Sequence, residues 1–162
     1  MLMTESSEYY KSLPKKRMGA GALFFNKRKE LLIVRPTYKN HWSIPGGVVD
    51  ANESPREACV REIKEEMGLT ISEPRFLCVA YYKNPGVEKG EGLQFMFYGG
   101  IMDDATATHI VLQKEELSEY KFVPINEAIQ LLGKGLAVRL PFCMEAIASE
   151  KAVYLERESS DS

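Results

Sequence analysis

Three glutamates near the middle of the chain, Glu62, Glu65 and Glu66, could do chemistry together. Residues three and four positions apart share one face of an α-helix, so these carboxylates would lie close and repel one another. A divalent cation would remove that repulsion, and Mg²⁺ prefers carboxylate oxygens and is often shared with substrate phosphates. The spacing therefore indicates either a metal site for phosphate chemistry or an ordinary solvated acidic face.

Two more charged residues could belong to the same cluster. Glu53 adds a fourth carboxylate just before the helix, and Arg61 lies four residues before Glu65, so its guanidinium can orient a carboxylate. The chain offers no alternative nucleophile, since it contains neither a Gly-x-Ser-x-Gly elbow nor a Walker loop. We expect the two histidines, His41 and His109, to be structural or solvated.

The helix that must position the three glutamates is predicted over residues 55–67. Ser54 can cap its start, Pro55 suits the first helical position, and Glu57 completes a capping box. Gly68 is the expected end, because glycine readily adopts the left-handed conformation common at that position. The apolar stripe that should face the core consists of Cys59, Val60, Ile63 and Met67.

Strands are predicted on both sides of this helix. Apolar and aromatic runs bounded by turn residues indicate strands over 18–25, 31–34, 76–82, 93–101, 109–112 and 120–123. Two further helices are expected, one over 127–132 with Asn126 as its cap, and one over 141–149. Strands mixed with a few helices indicate an α/β fold.

The chain of 162 residues is long enough to bury one core without disulfides. We expect a single domain over residues 14–155. Residues 1–13 are polar and should form a flexible N-terminal segment. Residues 156–162, rich in Glu, Ser and Asp, should form a disordered tail.

Composition bounds the partners and the compartment. A formal net charge of −2 gives no argument for nucleic-acid or anionic-membrane binding, and the short basic cluster at 15–17 is expected to be solvated. The three cysteines, Cys59, Cys78 and Cys143, lie in apolar segments, which favours buried reduced thiols and a reducing compartment. Without a secretory signal pattern or a membrane-length apolar run, we expect a cytoplasmic protein.

The stretch from Gly47 to Leu69 resembles the Nudix box. That motif is a glycine, five residues, a glutamate, seven residues, and then Arg-Glu-(aliphatic)-x-Glu-Glu-x-Gly-(aliphatic). Every specified position is matched, by Gly47, Glu53, Arg61, Glu62, Ile63, Glu65, Glu66, Gly68 and Leu69. The preceding run Trp-Ser-Ile-Pro-Gly-Gly at 42–47 is also similar to the family's approach to the box. The resemblance implies a Nudix-type α/β/α sandwich around a mixed β-sheet.

The family hydrolyses nucleoside diphosphates linked to another group, with Mg²⁺ or Mn²⁺. The resemblance implies metal binding by the box carboxylates and one backbone carbonyl, namely Glu62, Glu65, Glu66 and Gly46. It also implies that Arg61 orients glutamates and that Glu53 supports the site. The general base in the family is a box glutamate or one from a later loop. Glu116 is our choice, because similar sequences place an acidic residue some six positions before an aromatic there, although 114–119 could be a plain charged turn.

Recognition of the substrate should come from residues outside the box. Arg35 ends a strand near the site, where it could contact phosphate or simply be exposed. Tyr81 and Tyr82 point to opposite faces of one strand, so one could stack on a base while the other packs. Pro85 stands at the spacing where family members acting on ADP-ribose often carry a proline, though Asn-Pro-Gly is also an ordinary turn.

Three functions are compatible with these residues. The first is hydrolysis of ADP-ribose or a nucleotide sugar, and the second is a nucleotide-sanitising (d)NTP pyrophosphatase. The third is a non-catalytic ligand sensor, which is disfavoured because such proteins usually lose box glutamates and this chain keeps them all. The expected partner is a small nucleotide, and a homodimer is possible because dimers are frequent in the family.

Overall fold

The computed structural model describes residues 2–86 and 88–157. Its helices and strands are interspersed along the chain, as in a mixed α/β fold. The helices are α1 (Leu2–Ser12), α2 (Pro55–Met67), α3 (Asp104–Ala107), α4 (Ile125–Leu131) and α5 (Lys134–Ser149). The strands are β1 (Arg17–Phe25), β2 (Leu31–Pro36), β3 (Gly46–Val48), β4 (Arg75–Tyr82), β5 (Gly92–Ile101), β6 (Leu117–Val123) and β7 (Val153–Arg157).

The strands form one mixed sheet in the order β6-β2-β1-β5-β4-β7, with β3 paired to β1. The β1–β5 and β4–β7 pairs are parallel, and the remaining pairs are antiparallel. Strands β1 and β2 form the predicted hairpin, in which Phe25 lies opposite Leu31. The predicted α/β class with a mixed sheet is confirmed.

Alternate residues of the central strands face opposite sides of the sheet, as the two-residue period of a strand requires. Leu23 and Phe25 of β1 belong to the cluster packed by α4 and α5, whereas Ala22 and Phe24 belong to the cluster packed by α2. Apolar side chains therefore fill both faces, and helices cover both. This is the α/β/α sandwich that the sequence resemblance implies.

Helix α2 has the bounds and the caps that the sequence predicts. The Ser54 side chain accepts from the Glu57 N–H, the Glu57 side chain accepts from the Ser54 N–H, and Pro55 is the first helical residue. Gly68 ends the helix in the left-handed region at φ 70°. The buried stripe of α2 includes Glu66 as well as apolar residues, which the sequence did not predict.

Segment 109–112 is not a strand, although its apolar residues predicted one. Its backbone crosses the C-terminal end of α2, where the Val111 N–H donates to the Met67 carbonyl at 3.0 Å and the Gln113 N–H to the Glu66 carbonyl at 2.9 Å. The last carbonyls of a helix lack partners within that helix, so they accept such donors. The prediction was wrong because these partners are distant in sequence.

Helices α4 and α5 also differ in detail from the helices that the sequence predicts. Asn126 does not cap α4; it lies in the first turn, and the N-cap position is Pro124, which makes no side-chain cap bond. Helix α5 begins at Lys134 rather than at residue 141, so Pro141 lies inside it. Leu136 and Leu140 are buried before that proline. Burying two such side chains, at about 1.5–3 kcal/mol each, outweighs the roughly 3 kcal/mol cost of an internal proline.

Both ends of the chain contain structure that the sequence reading left out. The first segment forms helix α1, in which no glycine or proline interrupts Leu2–Ser12; the flexibility of residues 1–13 stays a prediction. Residues 156 and 157, expected in the disordered tail, belong to β7 and pair with β4. An uncovered strand edge presents unpaired backbone groups, which β7 satisfies. The rest of the expected tail, 158–162, lies outside the described residues.

All three cysteines are free and buried, as predicted. In the part of the chain that the structure describes, none of the helices has the length and apolar character needed to cross a bilayer.

Candidate active site

Arg61 holds the acidic residues of the box in place. Its Nε donates to Glu53 Oε1 at 2.7 Å, and its Nη2 to Glu53 Oε2 at 3.0 Å. Its Nη1 reaches Glu62 Oε1 at 2.9 Å and Glu65 Oε2 at 3.2 Å, and Nη2 also donates to the Val48 carbonyl at 3.0 Å. The hydrogen bonds from Arg61 lower the pKa of Glu53 to about 2. Arg61 is therefore hydrogen-bonded to three carboxylates of the box and to one backbone carbonyl. The orienting role of Arg61 and the supporting role of Glu53 stay predictions.

Two glycines before the helix let the backbone approach these carboxylates. Gly46 has φ 152°, and a Cβ there would collide with the Ala20 carbonyl oxygen, so only glycine fits. A Cβ on Gly47 would overlap the Glu62 carboxyl group. Gly47 therefore leaves the space into which the Glu62 side chain turns.

Glu66 is buried, with 4% of its surface exposed, and it accepts a hydrogen bond from the Gly46 N–H at 2.9 Å. Burial, with the charges of Glu62, Glu116 and Glu65, raises the pKa of Glu66 to about 8, although the hydrogen bond from Gly46 opposes the rise. Burial also raises the pKa of Glu62, against the opposing effect of Arg61. These glutamates share one electrostatic environment with an excess of negative charge.

The loop that carries Glu116 is hydrogen-bonded to the end of α2 and to the residue that follows β2. The Gln113 N–H bonds to the end of α2, as described above, and the Glu116 N–H in turn donates to the Gln113 carbonyl at 3.0 Å. The Glu116 carbonyl accepts from the Thr37 N–H at 2.8 Å. Glu116 is half-buried, and its charge raises the pKa of both Glu62 and Glu66.

No three His, Cys, Asp or Glu side chains in residues 2–86 and 88–157 are arranged to hold a metal ion together. Glu62 and Glu65 instead accept hydrogen bonds from Arg61, and Glu66 accepts one from the Gly46 N–H. The donor types nevertheless fit a hard divalent cation, because carboxylate and carbonyl oxygens are its preferred ligands. The buried Glu66 also makes no ion pair with any described residue, and a cation would supply one.

A cleft of about 430 Å³ opens beside Glu66. It runs over β1 and β5 toward the first turn of α5, on the face of the sheet that α4 and α5 cover. Its described charged lining is one carboxylate and four cations, namely Glu66, Arg17, Lys39, Lys89 and Arg139. The cleft thus has an acidic end at the Nudix box and a basic lining elsewhere, which suits an anionic substrate.

The structure separates the four residues expected to bind substrate. Tyr82 lines the cleft and is 1% exposed, while Tyr81 points away and donates from its hydroxyl to Glu91 at 3.1 Å. Arg35 is outside the described lining, with its guanidinium 5.9 Å from the ring centroid of Trp42, which does line the cleft. Pro85 is exposed in a turn and is likewise outside the described lining.

Several cleft residues were not predicted from the sequence. Arg17, from the basic cluster expected to be solvated, donates from Nη2 to the Tyr82 hydroxyl oxygen at 2.8 Å. Tyr38 stands at the mouth, where burial and then the nearby carboxylates raise its pKa. Arg139 comes from the middle of α5. The two-residue period of β1 was the available signal for Arg17, since it shares a face with Gly19 and Gly21; none was available for Arg139.

The chain is similar to several known proteins. The sequence model of the NUDIX domain matches residues 15–142. A 95-residue stretch is 36% identical to the putative 8-oxo-dGTP diphosphatase of Bacillus subtilis (strain 168), covering 56% of this chain and 60% of that protein. A 72-residue stretch is 33% identical to the m7GpppN-mRNA hydrolase of Saccharomyces cerevisiae, covering 44% of this chain and 7% of that protein.

Among solved structures, the MutT protein of Methanosarcina mazei Go1 superposes with a TM-score of 0.66 at 23% identity, over 86% of this chain and 99% of that one. A likeness at that identity establishes the fold alone. The chain spans less than two thirds of the length of the two sequence relatives. Because the domain match extends over most of the sequence and includes the whole acidic cluster, the chain belongs to the NUDIX domain family.

Proposed function

We propose that this protein is a Mg²⁺-dependent hydrolase, with Mn²⁺ as a possible substitute, that cleaves the diphosphate bond of a nucleoside diphosphate linked to another group. ADP-ribose and nucleotide sugars are the substrates of this class that we favour. The observation that carries the proposal is the buried carboxylate of Glu66, which lies among other carboxylates at one end of a cleft lined by cations. A metal at the acidic end would balance the charge of the Glu66 carboxylate, and a polyanion in the cleft would meet the cations that line it.

The metal would be held by Glu62, Glu65, Glu66 and the carbonyl of Gly46. When bound, such an ion neutralises the diphosphate and lowers the pKa of an attacking water. The protein supplies the positioning: α2 is fixed at both ends by its caps, and Arg61 sets the orientation of two of the carboxylates.

The proton of the attacking water needs an acceptor near the cluster. Glu116 is our candidate, because its loop is bonded to the end of α2 and its charge acts on Glu62 and Glu66. A positioned carboxylate of this kind typically contributes about 10²–10⁴-fold to the rate.

A (d)NTP pyrophosphatase is the second candidate, and one relative is named for 8-oxo-dGTP. Product analysis separates the two candidates, because a nucleotide sugar yields a nucleoside monophosphate and a sugar phosphate, whereas a triphosphate yields a nucleoside monophosphate and pyrophosphate. A non-catalytic ligand sensor would release no product at all. A cytoplasmic location and a homodimer also stay predictions.

The test is a panel of ADP-ribose, nucleotide sugars and nucleoside triphosphates, assayed with Mg²⁺, with Mn²⁺ and with a chelator. We expect metal-dependent release of a nucleoside monophosphate. The variant carrying both Glu65→Gln and Glu66→Gln should lose this activity while remaining folded, and Glu145→Gln, an exposed change on α5, serves as its control. A double variant that turns over substrate at the wild-type rate would overturn the metal assignment.

A further inference from the structure

Arg139 is a cation in the cleft lining without a described counter-charge. Its Nε atom is buried and has no hydrogen-bond partner. It makes no ion pair within residues 2–86 and 88–157, and burial lowers the pKa of its guanidinium. A buried donor left unpaired costs about 1–3 kcal/mol or more when charged, so its retention points to a ligand that supplies the acceptor.

The guanidinium of Arg17 belongs to the lining of the same cleft. Arg17 donates from Nη2 to the Tyr82 hydroxyl oxygen at 2.8 Å, and Gln94 Nε2 donates to the same oxygen at 3.3 Å. Tyr82 and Arg139 line the same cleft. Because the phenol oxygen already accepts two bonds, its own proton is available to donate to a ligand.

The start of α5 adds a further positive group to the cleft lining. Its N-cap position is Gly133, which has no side chain to satisfy the first N–H groups of the helix. Gly133 and Gly135 both line the cleft. A helix N-terminus carries partial positive charge and exposed N–H donors, and this favours anions. A helix N-terminus alone is weak evidence for an anion site. Here, however, Arg139 lies about one turn further along the same helix.

We propose that Arg17, Arg139 and the first turn of α5 form a phosphate-monoester site, separate from the carboxylates of the Nudix box. Two guanidiniums, a phenol and the start of a helix line this one cleft, and a dianion with several acceptor oxygens satisfies more of their donors than a carboxylate does. If the proposed diphosphate hydrolysis holds, the preferred substrates are nucleoside diphosphate derivatives that carry a further phosphate on one of the linked groups.

Binding can be tested without hydrolysis. Metal-free protein in a chelator buffer is titrated with inorganic phosphate and followed by two-dimensional amide NMR, so that the box cannot bind phosphate through a metal. We expect saturable shifts at the start of α5 and in β1, and about tenfold weaker binding in Arg139→Gln and in Arg17→Gln. The control Arg28→Gln, in the turn beside Glu30, should bind as the wild type does.

The site would be overturned by a wild-type protein that shows no saturable shifts, or by two cleft variants that bind phosphate as tightly as the wild type. If the Arg139 variant folds poorly, Arg17→Gln still tests the site, because Arg17 is exposed and its replacement should not disturb the core. A purely structural role for Arg139 would appear as a lower melting temperature with unchanged phosphate binding, which is also an overturning result.

A second experiment tests the substrate preference. ADP-ribose is compared with its 2′-phosphate, and dephospho-coenzyme A with coenzyme A, each with Mg²⁺. In Arg139→Gln we expect kcat/KM to fall about tenfold more for the phosphorylated member of at least one pair than for its partner. Equal effects on both members of both pairs would overturn the preference. Absence of hydrolysis by the wild type would instead refute the proposed function and leave the phosphate titration to stand by itself.

Discussion

The backbone N–H of Gly46 donates to the carboxylate of Glu66 at 2.9 Å, which joins strand β3 to the core-facing side of helix α2. Glu66 is thus held by a backbone donor on one side and by the packing of α2 on the other. A side chain that keeps the acceptor oxygen but loses the charge should leave this connection intact. Structure and metal binding can therefore be separated at this position.

Replacing Glu66 with Gln should abolish the stabilisation of the protein by metal while preserving the fold. Gln retains an oxygen for the Gly46 N–H and is uncharged, as Glu66 itself is below its pKa of about 8, so we expect the melting temperature without metal to be no lower than in the wild type. In the wild type, MgCl₂ at about 100 times its Kd should stabilise the protein by about 2.7 kcal/mol. Thermal melts with and without Mg²⁺ measure both quantities, and an equal Mg²⁺ shift in the variant would contradict metal binding by Glu66.

Gly47→Ala should damage the site more than the fold. The added Cβ would overlap the Glu62 carboxyl group, so this carboxylate must leave its place beside Arg61. We expect activity to fall at least about tenfold and the free energy of unfolding to fall by about 1–3 kcal/mol. Denaturant unfolding and kcat/KM measure the two effects.

A matched control is Gly99→Ala, whose Cβ would overlap the ring of Phe24, a residue absent from the cleft lining. This variant should lose comparable stability and keep its activity. If both alanine variants lose activity equally, the crowding of Glu62 is not the cause.

The sequence was most informative where the decisive interactions are local. Helix α2 was predicted with its bounds because Ser54, Glu57 and Gly68 act within a few residues of its ends. The ion pairs of Arg61 with Glu53 and Glu65 follow from helical spacing and a short preceding loop. These contacts need no knowledge of the rest of the fold.

The sequence was least informative where the partner is distant. Strand β7 exists because β4 offers an open edge, and segment 109–112 lies against the end of α2 rather than in the sheet. Arg139 was missed for a related reason: its helix was predicted to begin after it, and its place in the cleft depends on how α5 packs on the sheet. No local pattern reports such placements.

The ion pair of Glu53 with Arg61 should make stability depend on pH in acid. The pKa of Glu53 is lowered to about 2 from an ordinary value of 4.5, so the folded state favours its ionised form. This contribution is present above pH 4.5 and is lost as the pH falls through about 2. Over that range the wild type should lose more stability than Glu53→Gln. Unfolding curves at several pH values would test this, and parallel losses in the two proteins would contradict it.

Glu116→Gln should slow the chemical step with little effect on substrate binding. If Glu116 accepts the proton of the attacking water, kcat falls by about 10²–10⁴-fold while KM stays within about twofold. The backbone bonds that hold this loop, from Glu116 to Gln113 and from Thr37 to Glu116, do not involve the side chain, so the fold should persist. The control is Glu115→Gln, because this exposed neighbour holds Thr37 through its backbone carbonyl only. Steady-state kinetics at saturating Mg²⁺ decide the matter: a kcat within about twofold of the wild type for Glu116→Gln would assign the base to a box glutamate instead.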